Sequence, residues 1–593
     1  MRRRSHVLAA IVVGVLGVSA VGASSAAPGR QDGWAEQTLR RMSLEEKVGQ
    51  LFVADVWGKS AGQADEGNRK KYGVDTAAEV VQRYHPGGVI YFNNPGTDNV
   101  DEPAQVARFS NGLQQAALAS GAKVPLIVSI DQEGGRVTRI AAPATEFPSS
   151  MAVGAGRSAA DARTLATVNG HELRAMGINQ DFAPDADVNS NPLNPVIGSR
   201  SFSADPALAS ELVAAEIDGY QNSGPATETV SAAAKHFPGH GDAATDSHTG
   251  LPVINHTEEQ WRQIDLPPFR AAIDAGADVI MSAHITVPSL DPSGEPATLS
   301  KPIMTGILRD ELRYDGVVAT DSLQMAGVRE LHTDAEIPVL ALEAGVDQML
   351  MPPDLGLAIN SVLDAVKSGR LTEERIDQSV LRILKLKDKR GIVASPLVNP
   401  RAVKQVVGSA ANRDKIQAIT DRTTTVLRND AGLLPRRDPG KVVVTGWNNP
   451  NYPGYPAEPV RALAERLGGT AVSTGAKPTA AKIAEAVAAA GEADTVVVLT
   501  NGLRSDTAQG DLVRELLATG KPVVAVSVQE PYDPGYADVP TWVATYDWRD
   551  VTMASLAKVL TGEIAPQGKL PVDIPAGDDA GQIRYPFGTG LTW

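Results

Sequence analysis

Continuous apolar runs, four to seven residues long, recur along the first part of the chain at 50–56, 87–92, 126–131, 180–184, 232–236, 279–284, 317–321 and 348–351. Apolar on both faces is the signature of a parallel strand covered by helices, not of a strand with one wet face. Helical periodicity fills the intervals, for example at 104–119, 158–176 and 206–223. Eight strands alternating with helices predict an α/β protein whose first unit is a (β/α)8 (TIM) barrel. A further helix, Glu373–Lys389, carries Ile376, Val380, Ile383 and Leu384 at helical spacing and basic residues near its end, and Gly391 stops it.

Beyond a proline-containing stretch at 395–401 the alternation starts again. Strand-like runs at 442–445, 495–499, 523–528 and 542–546, with a weaker one at 470–473, are separated by helical segments at 459–467, 480–490, 511–518 and 553–560. This pattern predicts an open, doubly wound α/β sandwich. Gly446-Trp447-Asn448-Asn449-Pro450 follows the first of these strands but lacks the glycine spacing of a dinucleotide fingerprint. A chain of 593 residues also exceeds what one hydrophobic core holds. The expected organisation is a leader at 1–27, a barrel at 30–394, a linker at 395–410 and a second α/β domain at 411–593.

The leader is read from Arg2, Arg3 and Arg4, an apolar run over 7–21 and the small residues Ala23-Ser24-Ser25-Ala26-Ala27. A basic start, a short apolar stretch and a small-residue cleavage site are the parts of an export signal. The apolar run is shorter than the ~20 residues that span a bilayer. The chain is therefore expected to be secreted, extracellular or wall-associated, with no membrane attachment after cleavage. It has no cysteine, which excludes disulfides, thiolate metal sites and cysteine nucleophiles. The formal net charge of −15, more negative once the three leader arginines are gone, repels nucleic acid and anionic membranes and suits a neutral substrate. None of these features sets an oligomeric state.

Several of the apolar runs end in reactive side chains: Asp131, Lys235-His236, His284 and Asp321. Barrel chemistry sits at the C-terminal ends of the strands, so these groups would share one rim. Each alone could instead cap the helix that follows; Asp321 in particular is a good cap. The densest segment is Lys235-His236-Phe237-Pro238-Gly239-His240-Gly241-Asp242, continuing to Asp246-Ser247-His248. A metal site is the competing reading, but Pro238 and Gly239 break the helix that would align His236 with His240, and Lys235 repels a cation. As a loop leaving a strand, the segment puts Asp246 and His248 two residues apart, on one side of an extended chain. A carboxylate beside an imidazole orients the ring and favours its protonated form, which makes a proton donor; a surface histidine in a turn is the plainer alternative. Asp131-Gln132-Glu133-Gly134-Gly135-Arg136-Val137-Thr138-Arg139 combines paired glycines with acids and arginines, and Arg200 follows Ile197-Gly198-Ser199. Such charges suit sugar hydroxyls or simple salt bridges equally.

Together, residues 131–139, Gly198-Ser199-Arg200-Ser201-Phe202, the 235–248 segment and Thr320-Asp321-Ser322-Leu323-Gln324-Met325 resemble the signatures of glycoside hydrolase family three, and specifically its bacterial β-N-acetylglucosaminidase branch. The Lys-His-Phe-Pro-Gly-His-Gly segment followed by Asp-Ser-His is the most specific part. The likeness runs on through Gly568-Lys569-Leu570-Pro571 and Tyr585-Pro586-Phe587-Gly588, so it covers nearly the whole mature chain. It implies a retaining, exo-acting β-N-acetylhexosaminidase acting on terminal β-linked N-acetylglucosamine, with no metal and no cofactor. It implies Asp321 as nucleophile, His248 as acid/base and Asp246 as its partner, with sugar contacts from Asp131, Arg139, Arg200, Lys235 and His236. The residues flanking Asp321 differ from those of some members, which leaves the aglycone open. A phosphorylase, a β-glucosidase of the same family and an inactive sugar-binding protein are the alternatives.

Overall fold

A computed structural model describes residues 33–437, 440–452, 456–504 and 506–593; the expected leader lies outside the described residues. Among the described residues the eight apolar runs form β1 (Phe52–Asp55), β2 (Gly88–Ile90), β3 (Ile127–Ile130), β4 (Gln180–Asp181), β5 (Ser231–Phe237), β6 (Val279–Ser282), β7 (Val317–Ser322) and β8 (Gln348–Leu350). Each strand pairs in parallel with the next, and β1 pairs with β8, so the barrel closes. Helices Pro103–Leu118, Ala159–Ala175 and Pro206–Asn222 end within a residue of where the periodicity places them. Local chemistry sets their starts: the Ser158 and Asp205 side chains accept from the N–H groups of Asp161 and Leu208, and Pro103 and Pro206 occupy the first turn. Helix Glu373–Lys389 is capped by Thr372 and buries Ile376, Val380, Ile383 and Leu384 against the barrel.

The second sheet comprises β9 (Thr425–Asn429), β10 (Val442–Gly446), β11 (Thr470–Ser473), β12 (Thr495–Thr500), β13 (Val523–Ser527) and β14 (Thr541–Ala544), in the order β11-β10-β12-β13-β14-β9. All pairs are parallel except β14 with β9. The sequence pattern does not reveal β9, because Val426 and Leu427 are its only apolar residues and threonines precede them. Its place comes from pairing with β14, not from its own periodicity. The chain between the two sheets is packed rather than free: a short helix, Val403–Val406, and helix Ala410–Thr420 bury Val403, Val407, Ile416 and Ile419 in the barrel's hydrophobic cluster.

The two units share apolar surface. Met151, Ala152 and Ala155 of the barrel helix Ser150–Gly156 belong to the same buried cluster as Trp542, Tyr546 and Leu570 of the second unit. Hydrogen bonds reinforce the joint. Ser149 Oγ donates to the Tyr546 carbonyl at 2.8 Å, Asn189 Nδ2 to Tyr532 Oη at 2.7 Å and Arg549 Nε to the Gly135 carbonyl at 2.8 Å. Among the described residues no helix is long and apolar enough to cross a membrane.

A shared core predicts that the barrel is not independent. Truncation after residue 422 should give aggregated protein or one with a lowered unfolding midpoint, because it bares Met151, Ala152 and Ala155. A soluble truncated barrel with unchanged thermal stability would show that the second unit is merely tethered.

Candidate active site

A cavity of about 380 Å³ opens at the C-terminal ends of the barrel strands. Asp131, Glu133, Arg139, Arg200, Lys235, His236, His248 and Asp321 line its polar wall, and Ile90, Phe92, Met281, Met325, Leu350 and Met351 the apolar one. The volume lies at the small end of the ~300–1,000 Å³ range of ligand sites, a size for one sugar ring rather than a chain. The residues expected from the sequence face this cavity except Asp246, which stands behind His248, and His284, which is buried beside Asp321.

The polar wall is an ion-pair network drawn from three successive strands. Glu133, after β3, is buried and grips Arg200 through two contacts of 2.9 Å, while Lys235 of β5 reaches its Oε1 at 2.6 Å. Lys235 Nζ also donates to Asp131 Oδ1 at 2.9 Å. Arg139 lies 3.7 Å from Asp131 Oδ2 and stacks over the Phe92 ring at 5.1 Å. Burial disfavours the Glu133 charge, but Arg200 and Lys235 outweigh it and hold its pKa far below the usual carboxylate range. The same balance, burial opposed by the charges of Asp131 and Glu133, raises the Lys235 pKa. Lys235 and His236 both reach the cavity although adjacent in sequence, because the β5–β6 register slips between Ala234 and Phe237.

The turn that carries Asp131 and Glu133 explains its paired glycines. Gly134 and Gly135 have φ of 90° and 51°, and a Cβ on them would come within 2.5 Å of the Pro148 carbonyl and 2.6 Å of Ser149 Cβ. Arg136 of that turn points away from the cavity, to the Val196 carbonyl and to Glu530 of the second unit at 3.6 Å.

Asp321, on β7, accepts the Ser322 N–H at 2.7 Å. Burial opposes its charge, but His236, His284 and His248 around it and that N–H prevail, so its pKa is lowered. His284 does not line the cavity; it is buried beside Asp321, with Nε2 donating to the Ser322 carbonyl at 3.0 Å and Nδ1 2.8 Å from Thr298 Oγ1. Its position is that of a support for the β7 end. Across the cavity His248 is 60% exposed, and its Nδ1 meets Asp246 Oδ1 at 2.7 Å. A carboxylate only accepts, so Nδ1 carries the proton and Nε2 is left for the cavity.

The long connection bearing His248 is pinned at its root. Asn194 Nδ2 donates to the carbonyls of His240 and Gly241, both at 2.9 Å, and Trp261 Nε1 to that of Pro238 at 2.8 Å. Its far part docks onto the segment after Asp321 through the Gly327 N–H, which donates to the Ser247 carbonyl at 3.0 Å. His240 is buried, its pKa pushed down to about 4 by burial, and its Nε2 lies 2.9 Å from Ser247 Oγ.

Asp185, Asp187 and His236 each place one potential metal ligand atom within 4.8 Å of the others. Those atoms already have partners or cationic neighbours. Asp187 Oδ2 contacts His236 Nδ1 at 2.7 Å, and the Arg200 guanidinium stands 3.8 Å from Asp185 Oδ2. A cation there would face a fixed positive charge, so the cluster reads as an ion-pair network. Sequence reasoning left Asp185 and Asp187 unmarked and gave Glu133 no role of its own. The signal available was their place after β4 and β3, at the rim where barrel chemistry collects.

Fold and site define a class: a closed (β/α)8 barrel with a small cavity lined by charges of both signs at its strand ends and an α/β sandwich attached. Residues 43–386 match the glycosyl hydrolase family 3 N terminal domain, and residues 424–593 the glycosyl hydrolase family 3 C-terminal domain. The chain belongs to glycosyl hydrolase family 3. It is 39% identical over 394 residues to beta-hexosaminidase A of Pseudoalteromonas piscicida, a match covering 62% of this chain and 63% of that protein, so just under two thirds of the relative's length. It is 28% identical over 411 residues to the beta-N-acetylglucosaminidase/beta-glucosidase of Cellulomonas fimi, covering 68% and 67%. Among solved structures, a glycoside hydrolase family 3 beta-N-acetylglucosaminidase from Paenibacillus sp. str. FPU-7 superposes with a TM-score of 0.82 at 36% identity, covering 90% of this chain and 99% of that one.

Glu133→Gln should leave Lys235 and Arg200 buried without their shared anion. Removing one partner of a buried pair costs about 3–5 kcal/mol, measurable by denaturant melts. Because the folded pKa of Glu133 is lowered, its stabilisation is present above the unfolded value of about 4.3 and is lost as pH falls towards the folded one. The wild-type-minus-variant difference should therefore shrink in acid; a difference that grows there would contradict the network.

Proposed function

We propose that the protein is a secreted, retaining, exo-acting β-N-acetylhexosaminidase that removes terminal β-linked N-acetylglucosamine. The observation that carries this reading is the meeting of Asp321 and His248 in one sugar-sized cavity, with Asp246 2.7 Å behind the imidazole. The names of the Pseudoalteromonas and Paenibacillus relatives support the choice of sugar.

In the first step Asp321 attacks the anomeric carbon and the glycosidic C–O bond breaks, while protonated His248 gives its Nε2 proton to the departing oxygen. In the second, the same nitrogen takes a proton from water as the water oxygen displaces the Asp321 carboxylate. Two inversions restore the β configuration. Most retaining glycosidases use two carboxyl groups for these steps. Here an imidazole replaces one of them, and an imidazole exchanges protons readily near neutrality. Lys235, Arg200, Arg139, Asp131 and His236 supply the donors and acceptors for the ring hydroxyls, and the lowered pKa of Asp321 keeps the nucleophile charged in mild acid.

His248→Ala should lose roughly 10²–10⁴-fold in rate on substrates with poor leaving groups. It should lose little in the first step on an aryl glycoside whose phenol leaves unaided. Equal losses on both would remove His248 from the role. A fluorinated N-acetylglucosamine analogue should label Asp321 in peptide maps, and a label on another carboxylate would overturn the assignment.

The Cellulomonas relative's double name makes the sugar itself worth measuring. Aryl N-acetylglucosaminide should be turned over faster than aryl glucoside, and the reverse order would make the protein a β-glucosidase. Water should be the acceptor; formation of sugar 1-phosphate when inorganic phosphate is added would make it a phosphorylase, since an imidazole does not repel that anion as a carboxylate would.

A further inference from the structure

Asp187 lies in the loop after β4, fully buried, and touches no part of the cavity. Its carboxylate is nevertheless in contact with two functional segments. Oδ1 accepts the backbone N–H of His236 at 3.3 Å and that of His240 at 2.6 Å, and Oδ2 lies 2.7 Å from His236 Nδ1. His236 Nε2 faces the cavity, 3.3 Å from Arg200 Nη2.

We propose that Asp187 is a positioning residue that fixes His236 as its Nδ1–H form, leaving the Nε2 lone pair to the sugar, and that ties this ring to the root of the connection bearing His248. The first half follows from hydrogen-bond roles. A carboxylate oxygen only accepts, so Nδ1 donates; a guanidinium only donates, so Nε2 accepts from Arg200 and can accept a sugar hydroxyl instead. The carboxylate of Asp185 cannot take over, because its Oδ2 is 3.8 Å from His236 Nδ1. The second half follows from Oδ1, which accepts the backbone N–H groups of both His236 and His240 and so joins the two segments through one carboxylate. His240 in turn contacts Ser247, the residue before His248.

The arrangement makes Asp187→Asn unusually informative. Two backbone N–H groups converge on the Oδ1 position, so the amide oxygen must sit there and the amide NH2 must face His236. Nδ1 then becomes the acceptor, the ring proton moves to Nε2, and Nε2–H confronts the Arg200 donor. The backbone anchors survive, so the change of tautomer is separated from a loss of structure. Asp187→Ala, by contrast, should remove the anchors and destabilise the protein.

The test reads the tautomer directly. With the protein labelled with 15N-histidine, the His236 signals are identified among the nine histidines by their loss in His236→Gln. The wild type should show a protonated Nδ1 and a bare Nε2, and Asp187→Asn the reverse. On an aryl N-acetylglucosaminide the variant should lose about 10- to 100-fold in kcat/KM, as expected when a buried acceptor is replaced by a donor, chiefly through KM, with its thermal midpoint nearly unchanged. A bare Nδ1 in the wild type overturns the proposal even if the variant does not fold. An unswitched tautomer in the variant, or a switched one with wild-type kinetics, overturns it too. The kinetic half rests on the proposed hexosaminidase activity, whereas the tautomer is read without substrate. Failure of the wild type to act on any N-acetylglucosaminide would thus sink the function while leaving the Asp187–His236 pairing standing.

Discussion

Two cations, Lys235 and Arg200, are buried side by side in the wall of one cavity, and a single buried carboxylate, Glu133, contacts both. Without it only Asp131 and the more distant Asp185 would offset their mutual repulsion and lost hydration. Each member arrives from a different strand or the loop that follows it: Glu133 after β3, Arg200 after β4, Lys235 on β5 itself. The network therefore forms only when three neighbouring strands are in register, and it sets the donors and acceptors of the cavity wall in fixed places. A buried charge cluster of this kind contributes less to stability than to orientation, because the desolvation of its members offsets most of their attraction.

The second unit takes part in this orientation, although none of its described residues lines the cavity. Arg549 holds the Gly135 carbonyl in the very turn that presents Asp131 and Glu133. Glu530 accepts from the Ser199 N–H at 3.2 Å, one residue before Arg200. The two loops that carry Asp131, Glu133 and Arg200 are thus braced from outside the barrel. A loop with many polar side chains has little apolar surface of its own to bury, so its rigidity has to be supplied by a neighbour.

The Asp246–His248 and Asp187–His236 pairs have the same 2.7 Å contact and opposite surroundings. His248 is 60% exposed, which suits the acid/base role proposed for it. His236 is 6% exposed, walled by Arg200, and suits a fixed role towards the substrate. Exposure, not the pairing itself, separates the two tasks.

The barrel, the second α/β unit and most of the cavity's ionisable residues were legible in the chain alone. Apolar runs of strand length alternating with helical periodicity allow few other folds, and the Lys235–His248 motif has little purpose outside a site. Strand β9 was not legible, since its two apolar residues become a strand only by pairing with β14. Nor were the tasks of Glu133 and Asp187, whose partners lie 67 and 49 positions away. Local pattern reports what a segment buries; which distant charge a buried carboxylate will meet depends on how strands and loops are brought side by side, and only the closed barrel decides that.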